Sequence, residues 1–180
     1  KQAEKALQES EERLRLSLWG AGQGIWDWNL KTEILTWDER CKEIFGLSPD
    51  SPVSYEWHIN ALHPDDRERL ITSTALALSE HRELEEEYRT ICPDGTTRWV
   101  LARGRGYYDS AGNPYRMSGT VLDISDRQQA EKALHESEEH FRTLADNISQ
   151  FAWMADENGW IFWYNQRWFE YTGTNLEEMQ

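Results

Sequence analysis

An internal repeat constrains the fold of this chain more than any other feature of its sequence. Residues 2–15 return as residues 129–142 with 11 of 14 positions identical, at an offset of 127 residues. The offset continues beyond this segment without a gap, since Trp26 corresponds to Trp153. Self-similarity at a fixed period indicates that one structural unit occurs twice. The second copy holds only its opening strands and first helix, which cannot bury a core alone, so we expect the chain to come from a tandem array.

The repeated segment has the spacing of a coiled-coil helix. In the second copy, spacings of four and three alternate along a seam formed by Ala130, Leu134, Ser137, Phe141, Leu144 and Ile148. Charged residues occupy most positions between them, as expected for a solvated outer face. We predict that this seam joins two copies of the chain as a parallel homodimer. A single amphipathic helix lying on its own domain is the alternative.

Composition limits the classes of function. Apolar residues make up 38% and charged residues 29% of the chain, which is ordinary for a globular protein. With 33 acidic against 19 basic residues the net charge is -14, which disfavours nucleic-acid binding. There is no apolar stretch for a membrane span and no signal-peptide core, so we expect a cytoplasmic segment without direct membrane contact, although a longer parent protein could be anchored. Cys41 and Cys92 lack metal-ligand spacing and are expected to be buried thiols.

Turn and capping residues divide the first copy into strands and helices. We predict five strands, at residues 25–29, 34–37, 84–92, 96–108 and 115–124. Helices are expected between Asp38 and Gly46, around residues 55–62, and from Pro64 to about Ser79. Pairing strands that are neighbours in sequence gives one antiparallel sheet with helices on a single face, an α+β fold.

These elements divide the chain into four segments. They are an N-terminal signalling helix (residues 1–19), a first domain (20–125), a coiled-coil linker helix (126–148) and the truncated start of a second domain (149–180). In the last segment, strands at residues 151–155 and 160–164 would expose a wide aromatic surface. If they are ordered, we expect them to pack on another chain or unit.

The order of elements and several motifs resemble the PAS family, in its subclass with a PAC motif over the last strands. The motifs are WDWN at residues 26–29, Trp37, FG at 45–46, HPDDR at 63–67, YR at 88–89, DG at 94–95 with Trp99, Asp109 with Gly112, and GTVLDISDR at 119–127. The resemblance covers residues 18–127 and, in part, 151–179. It implies a module that senses a ligand, light, redox state or partner and signals through dimerising helices. Such modules most often precede a histidine kinase, and less often a diguanylate cyclase.

Haem and flavin are both disfavoured by the residues present. A flavin photosensor of this fold uses a cysteine in an Asn-Cys-Arg type motif, whereas Cys41 lies in Glu-Arg-Cys-Lys-Glu. Haem needs an axial histidine. His58, His63 and His81 lie near predicted helices, but His63 belongs to a helix-start motif. We therefore expect no resident cofactor, with a small-molecule ligand left open.

A set of tryptophans supplies the pocket candidates. Trp26, Trp28, Trp57 and Trp99 could line a cavity between sheet and helices, or could equally fill that space as core. The acidic run at residues 83–87 has no accompanying nucleophile or metal set, so a solvated strand face is expected there. We identify no catalytic site in this segment and no metal site.

The junction between the last strand and the linker helix is the predicted signalling element. It consists of Asp123, Ile124, Ser125, Asp126 and Arg127. Ser125 or Asp126 can cap the helix, and Asp123 can reach Arg127 or a backbone donor at the helix base. Our leading hypothesis is the input module of a sensor histidine kinase with its effector in the same chain. The alternatives are the input module of a diguanylate cyclase and a constitutive dimerisation scaffold.

Overall fold

The computed structural model describes residues 5, 12, 13, 17 and 20–173 of the chain. The chain forms two compact units, Lys1–Asp126 and Arg127–Gln180. Most of the helix predicted for residues 1–19 lies outside the described residues. Among the helices that are described, none is long and apolar enough to cross a membrane.

The first unit contains a five-stranded antiparallel sheet, which confirms the predicted fold class. Its strands are β1 (Gln23–Asn29), β2 (Ile34–Trp37), β3 (Leu84–Ile91), β4 (Thr97–Tyr108) and β5 (Pro114–Asp123). Their order in the sheet is β2-β1-β5-β4-β3. Sequence neighbours pair in the two outer parts, but the centre joins the first strand to the last, with Trp26 opposite Gly119. The prediction that strands adjacent in sequence pair with each other is therefore wrong for β2 and β3, which lie at opposite edges of the sheet.

Three helices follow β2 and precede β3 along the chain, and each begins with a capped first turn. They are α1 (Glu39–Ile44), α2 (Tyr55–Ala61) and α3 (Pro64–Ser79). The Asp38 carboxylate accepts a hydrogen bond from the Cys41 N–H, and the Ser54 hydroxyl accepts one from the Trp57 N–H. Pro64 opens α3, where its missing N–H would have had no partner. The predicted bounds of α3 are confirmed.

The core lies between the sheet and these helices. It consists of Leu35, Trp37, Cys41, Ile44, Phe45, Leu62, Leu70, Tyr88, Val100, Ala102 and Val121. Both cysteines are buried and free, as predicted. Helix α1 approaches β1 closely at Gly24, where an added Cβ would lie 2.4 Å from the Cys41 Cα. Only glycine allows the helix backbone to lie so near the strand at this point.

Two facing glycines in the centre of the sheet make room for the Trp26 ring. Gly104 and Gly119 are partners in the β4–β5 pairing. Cβ atoms added to them would lie 2.4 Å and 2.7 Å from the Cζ2 atom of Trp26. The indole N–H of Trp26 donates to the Thr120 carbonyl over 3.1 Å. The ring is therefore fixed flat against the backbone.

The second unit repeats the opening of the first. Its first helix, α4 (Ser125–Asn147), begins in the last two residues of the first unit. The other elements are β6 (Trp153–Ala155), β7 (Ile161–Tyr164) and α5 (Gln166–Thr172). The Asn165 side chain accepts from the Ala152 N–H over 3.1 Å, as Asp38 accepts from the Ile25 N–H over 2.9 Å in the first unit. The donor and the acceptor residue in the second unit each lie 127 positions after their counterparts in the first, so the duplication extends to a specific hydrogen bond.

The aromatic hairpin of the second unit is ordered but exposed. Trp153 is 56%, Trp160 65% and Phe162 51% exposed. Trp163 packs on Phe141 of α4, with ring centroids 5.6 Å apart. The expectation that this surface is covered by another chain or unit is therefore wrong for the single chain, because one helix cannot cover both faces of a two-stranded hairpin.

Candidate functional site

A cavity of about 60 Å³ lies between the sheet and helices of the first unit. Its walls are mostly apolar and aromatic. They are formed by Trp26, Trp28, Leu35, Trp37, Cys41, Phe45, Tyr55, His58, Leu70, Thr74, Leu84, Tyr88, Ala102, Met117 and Val121. None of these side chains is an aspartate, glutamate, lysine or arginine. Such a concave apolar space with a few polar groups is typical of a small-molecule site.

An imidazole enclosed by aromatic rings forms one wall of the cavity. The ring of His58 meets Trp37, Phe45 and Tyr88 edge to face, at centroid distances of 5.7, 5.6 and 6.0 Å. Burial among these rings lowers the pKa of His58 to about 4. The imidazole is therefore neutral at pH 7. Sequence reasoning considered His58 only as a haem ligand, and no local pattern marked its place on the cavity wall.

Two of the four tryptophan candidates line the cavity. Trp26 and Trp28 are two residues apart on β1 and so point to the same face of the sheet. Trp28 also stacks on Tyr55, with ring centroids 4.3 Å apart. Trp57 is not among the lining residues and packs against Trp37 at 5.7 Å. Trp99 is not among them either, because its neighbour on β4 points to the core and Trp99 therefore points away from it.

The Cys41 side chain lines the cavity as an inert thiol. It is fully buried in α1. Burial raises its pKa strongly, and the nearby Asp38 carboxylate raises it further. The protonated thiol is a poor nucleophile and a poor metal ligand. Among the described residues no group of histidine, cysteine and carboxylate side chains could hold a metal ion.

A partly buried ion pair connects α3 to the sheet. The Asp66 carboxylate lies in the first turn of α3 and is only 8% exposed. It accepts hydrogen bonds from the Arg89 backbone N–H, Nε and Nη2, each over 2.9 Å. These bonds from Arg89 lower the pKa of Asp66 to about 2. The Arg89 guanidinium in turn lies 5.5 Å from the centre of the Trp99 ring.

The junction between β5 and α4 is bound tightly to β4. The Trp99 carbonyl accepts from the Ile124 N–H over 2.9 Å, and the Trp99 N–H donates to the Ser125 hydroxyl over 3.0 Å. The Asp123 carboxylate accepts from the Ser125 N–H over 2.9 Å, which is the backbone donor that was anticipated. The Ser125 hydroxyl thus accepts a hydrogen bond from the neighbouring strand, and capping of α4 by Ser125 or Asp126 stays a prediction.

The remaining junction residues, Asp126 and Arg127, lie in the first turn of α4. Arg127 lies 3.8 Å from Glu131, one turn further along α4. Asp126 contributes a negative charge to the first turn of this helix. Every residue of the predicted seam from Ala130 to Ser137 is exposed, and among the larger side chains Leu134 is 63% and Leu144 58% exposed. Phe141 and Ile148 are 47% and 43% exposed. The seam is thus accessible on the single chain.

Comparison with known protein families gives two matches. A family described as "PAS fold" matches residues 34–121. A second family, described as "PAS domain", matches residues 139–180. One match therefore falls in each of the two units.

Several similar proteins are named as bacterial sensor or signalling proteins. A sensory box histidine kinase/response regulator of Burkholderia thailandensis is 36% identical, with a TM-score of 0.65 over 73% of this chain and 98% of that structure. Sensor protein FixL of Bradyrhizobium diazoefficiens is 31% identical over 83% of this chain and 30% of its own length. The probable diguanylate cyclase DgcE of Escherichia coli is 26% identical over 83% of this chain and 14% of its own length. The chain spans less than a third of these two curated relatives, and by fold and sequence it belongs to the PAS domain family.

Proposed function

We propose that the first unit is the signal-input module of a multidomain sensor histidine kinase, and that it transmits a change in the cavity to helix α4. The observation that carries this proposal is a continuous path of contacts from α3 through Asp66, Arg89 and Trp99 to Ser125. The Burkholderia relative, itself named a histidine kinase, supports the choice of effector. We also propose that the module lies in the cytoplasm, because its two cysteines are free and the reducing conditions there keep thiols reduced.

The path begins at the cavity wall. Leu70 and Thr74 of α3 line the cavity, and Asp66 lies one turn before Leu70 on the same helix. A helix moves as a rigid rod over such a distance, so a displacement of α3 by a bound molecule also displaces the Asp66 carboxylate.

The ion pair transfers this displacement to the sheet. Asp66 holds the guanidinium of Arg89 by two side-chain hydrogen bonds, which fix its plane. Arg89 and Trp99 are direct partners in the β3–β4 pairing. A rotation of the guanidinium therefore changes the packing of the Trp99 ring.

The last step leads from Trp99 to the output helix. Both backbone groups of Trp99 bind the junction, one at Ile124 and one at Ser125. Because β5 runs into α4 without an intervening loop, a shift of Trp99 acts directly on the first turn of α4. Such coupling requires an element that has two arrangements. Both the cavity and the output helix must be able to favour one of these arrangements over the other.

The junction is tested by Asp123→Ala in the full-length parent protein. This variant removes the acceptor for the Ser125 N–H, and we expect it to abolish the response of the output to the signal while the module stays folded. The loss of one partly buried hydrogen bond costs only about 1 kcal/mol of stability. The measurement is ATP-dependent phosphorylation of the parent with and without stimulus, beside circular dichroism of the module.

A matched control is Glu85→Gln, which removes an exposed ion pair with Arg103 on the same sheet. It should leave the response intact, because exposed pairs contribute little. A normal response in Asp123→Ala would reduce the junction to a structural cap. Formation of a cyclic dinucleotide from GTP, with no phosphorylation, would assign the effector to the class of diguanylate cyclases, for which DgcE, a relative of this chain, is named.

The homodimer is tested on the seam of α4. Replacing Leu134 and Phe141 together with glutamate places charges in the apolar interface, so we expect a dimer to become a monomer in analytical ultracentrifugation. The control replaces Lys132 and Arg142, which lie off the seam, with glutamate and should preserve the dimer. A dimer that survives the seam substitutions contradicts the predicted interface.

A further inference from the structure

Two residues that line the cavity each carry a buried polar atom without a hydrogen-bond partner. Among the described residues, four buried side-chain atoms have no partner, and two of them, Trp28 Nε1 and His58 Nδ1, belong to residues that line the cavity. An unpaired polar group in a low-dielectric interior costs free energy, so such atoms in a native fold call for an explanation. Trp26, on the same strand, shows the usual situation, because its indole N–H binds the Thr120 carbonyl.

The chemistry of these two atoms defines what could pair with them. An indole N–H is a donor only, so the partner of Trp28 must be an acceptor. A neutral imidazole carries one N–H and one lone pair, and Nδ1 can serve as either. A molecule with a hydroxyl group or a primary amide offers both an acceptor and a donor. Either group could therefore satisfy both atoms.

The size of the cavity sets a limit on the molecule. Its volume of about 60 Å³ is several times the roughly 10–15 Å³ of cavity space that one ordered water needs. An apolar cavity known to bind benzene has a volume of about 150 Å³. The space thus fits roughly four to six non-hydrogen atoms.

The electrostatics of the walls exclude a charged molecule. None of the lining side chains is an acid, a lysine or an arginine, and the only titratable base is His58. Its pKa is lowered to about 4, so the imidazole carries no charge at pH 7. A carboxylate or ammonium group in this space would meet no opposite charge among the lining side chains to offset its loss of water.

We propose that the cavity binds a small, uncharged amide or alcohol, held by hydrogen bonds to Trp28 Nε1 and His58 Nδ1. The apolar walls supply the contact for its carbon atoms, and the two polar atoms select its functional group. This inference rests on the proposed input function for its biological meaning, because it names the class of molecule that would act on the path through α3. The alternative occupant is water, which could also satisfy both atoms.

The test uses a matched pair of probes on the 180-residue chain. Acetamide and acetate have the same size and shape and differ in charge. Titration of acetamide should shift the indole ¹H–¹⁵N resonance of Trp28 and the methyl resonance of Met117, which also lines the cavity, in a saturable manner. The Trp26 indole, already bonded to Thr120, is the internal control and should hardly shift. Acetate should give no saturable change.

A variant tests the role of the indole N–H. Trp28→Phe keeps an aromatic ring but removes the donor, so acetamide, followed through Met117, should bind about tenfold more weakly. Equal binding of acetate would overturn the assignment to uncharged molecules. If acetamide and 2-propanol both fail to saturate, the proposal is wrong and water is the remaining occupant. These titrations do not involve the junction, so their failure is distinct from a failure of signal transfer in Asp123→Ala.

Discussion

Replacing Gly119 with alanine is expected to destabilise the first unit by about 3 kcal/mol or more. An added Cβ would lie 1.9 Å from the Arg103 carbonyl oxygen and 2.6 Å from the Gly104 Cα. Both atoms belong to the backbone of β4, so the clash can be relieved only by moving two central strands apart. The Trp26 ring, 2.7 Å from the added atom, would lose its position as well. A large part of the total stability of a domain of this size would disappear.

The measurement is urea unfolding followed by tryptophan fluorescence. Gly20→Ala is the matched control, since an added Cβ at Gly20 meets no atom within 4 Å. We expect the control to unfold at the same urea concentration as the unchanged chain. If Gly119→Ala had the same midpoint as the control, the close approach of β4 and β5 at this position would be refuted.

Acidification from pH 6.5 to pH 4 is expected to lower the unfolding free energy of the first unit by about 3 kcal/mol through His58 alone. In the folded unit the pKa of His58 is lowered to about 4, whereas the unfolded chain protonates near the ordinary 6.5. The unfolded state therefore binds more protons throughout this window, and stability falls with the pH. Above pH 6.5 the imidazole is neutral in both states and the contribution is complete.

The comparison with His58→Asn isolates this effect from other titrating groups. Asparagine cannot be protonated, so the variant should show a much smaller loss of stability between pH 6.5 and pH 4. The pKa of Asp66 is about 2, so stability due to its ion pair is present above the ordinary value of 3.8 and falls only as the pH drops towards 2. Equal pH profiles for both proteins would show that the imidazole is solvated rather than enclosed.

Local chemistry explains why most element bounds could be predicted. Pro64 marks the start of α3 and Asp38 caps α1, as each residue's own hydrogen-bonding properties require. The pairing of β1 with β5 could not be predicted in this way, because it brings Trp26 opposite Gly119 from the other end of the domain. No pattern within a single segment carries information about such a partner.

The candidate site was only partly predictable, for a similar reason. The alternation of side chains along a strand could have separated Trp28, which faces the cavity, from Trp99, which does not. The place of His58 depends on how α2 packs on the sheet, and this is decided by tertiary contacts with Trp37 and Tyr88. The identification of orphaned polar atoms needs the complete set of neighbours around each atom, which a sequence does not contain.

The contact between Gly24 and Cys41 has a consequence for evolution within the tandem array. The residues 127 positions later are Phe151 and Trp168, whose rings meet 5.5 Å apart. Where one copy has helix backbone against a glycine, the other has two large rings, so strand and helix cannot approach each other in the same way in the two copies. Duplication has kept the hydrogen-bonded framework and changed the volume inside it. If each copy has the input function proposed for the first, the two copies would admit different molecules, and one protein would combine two independent inputs.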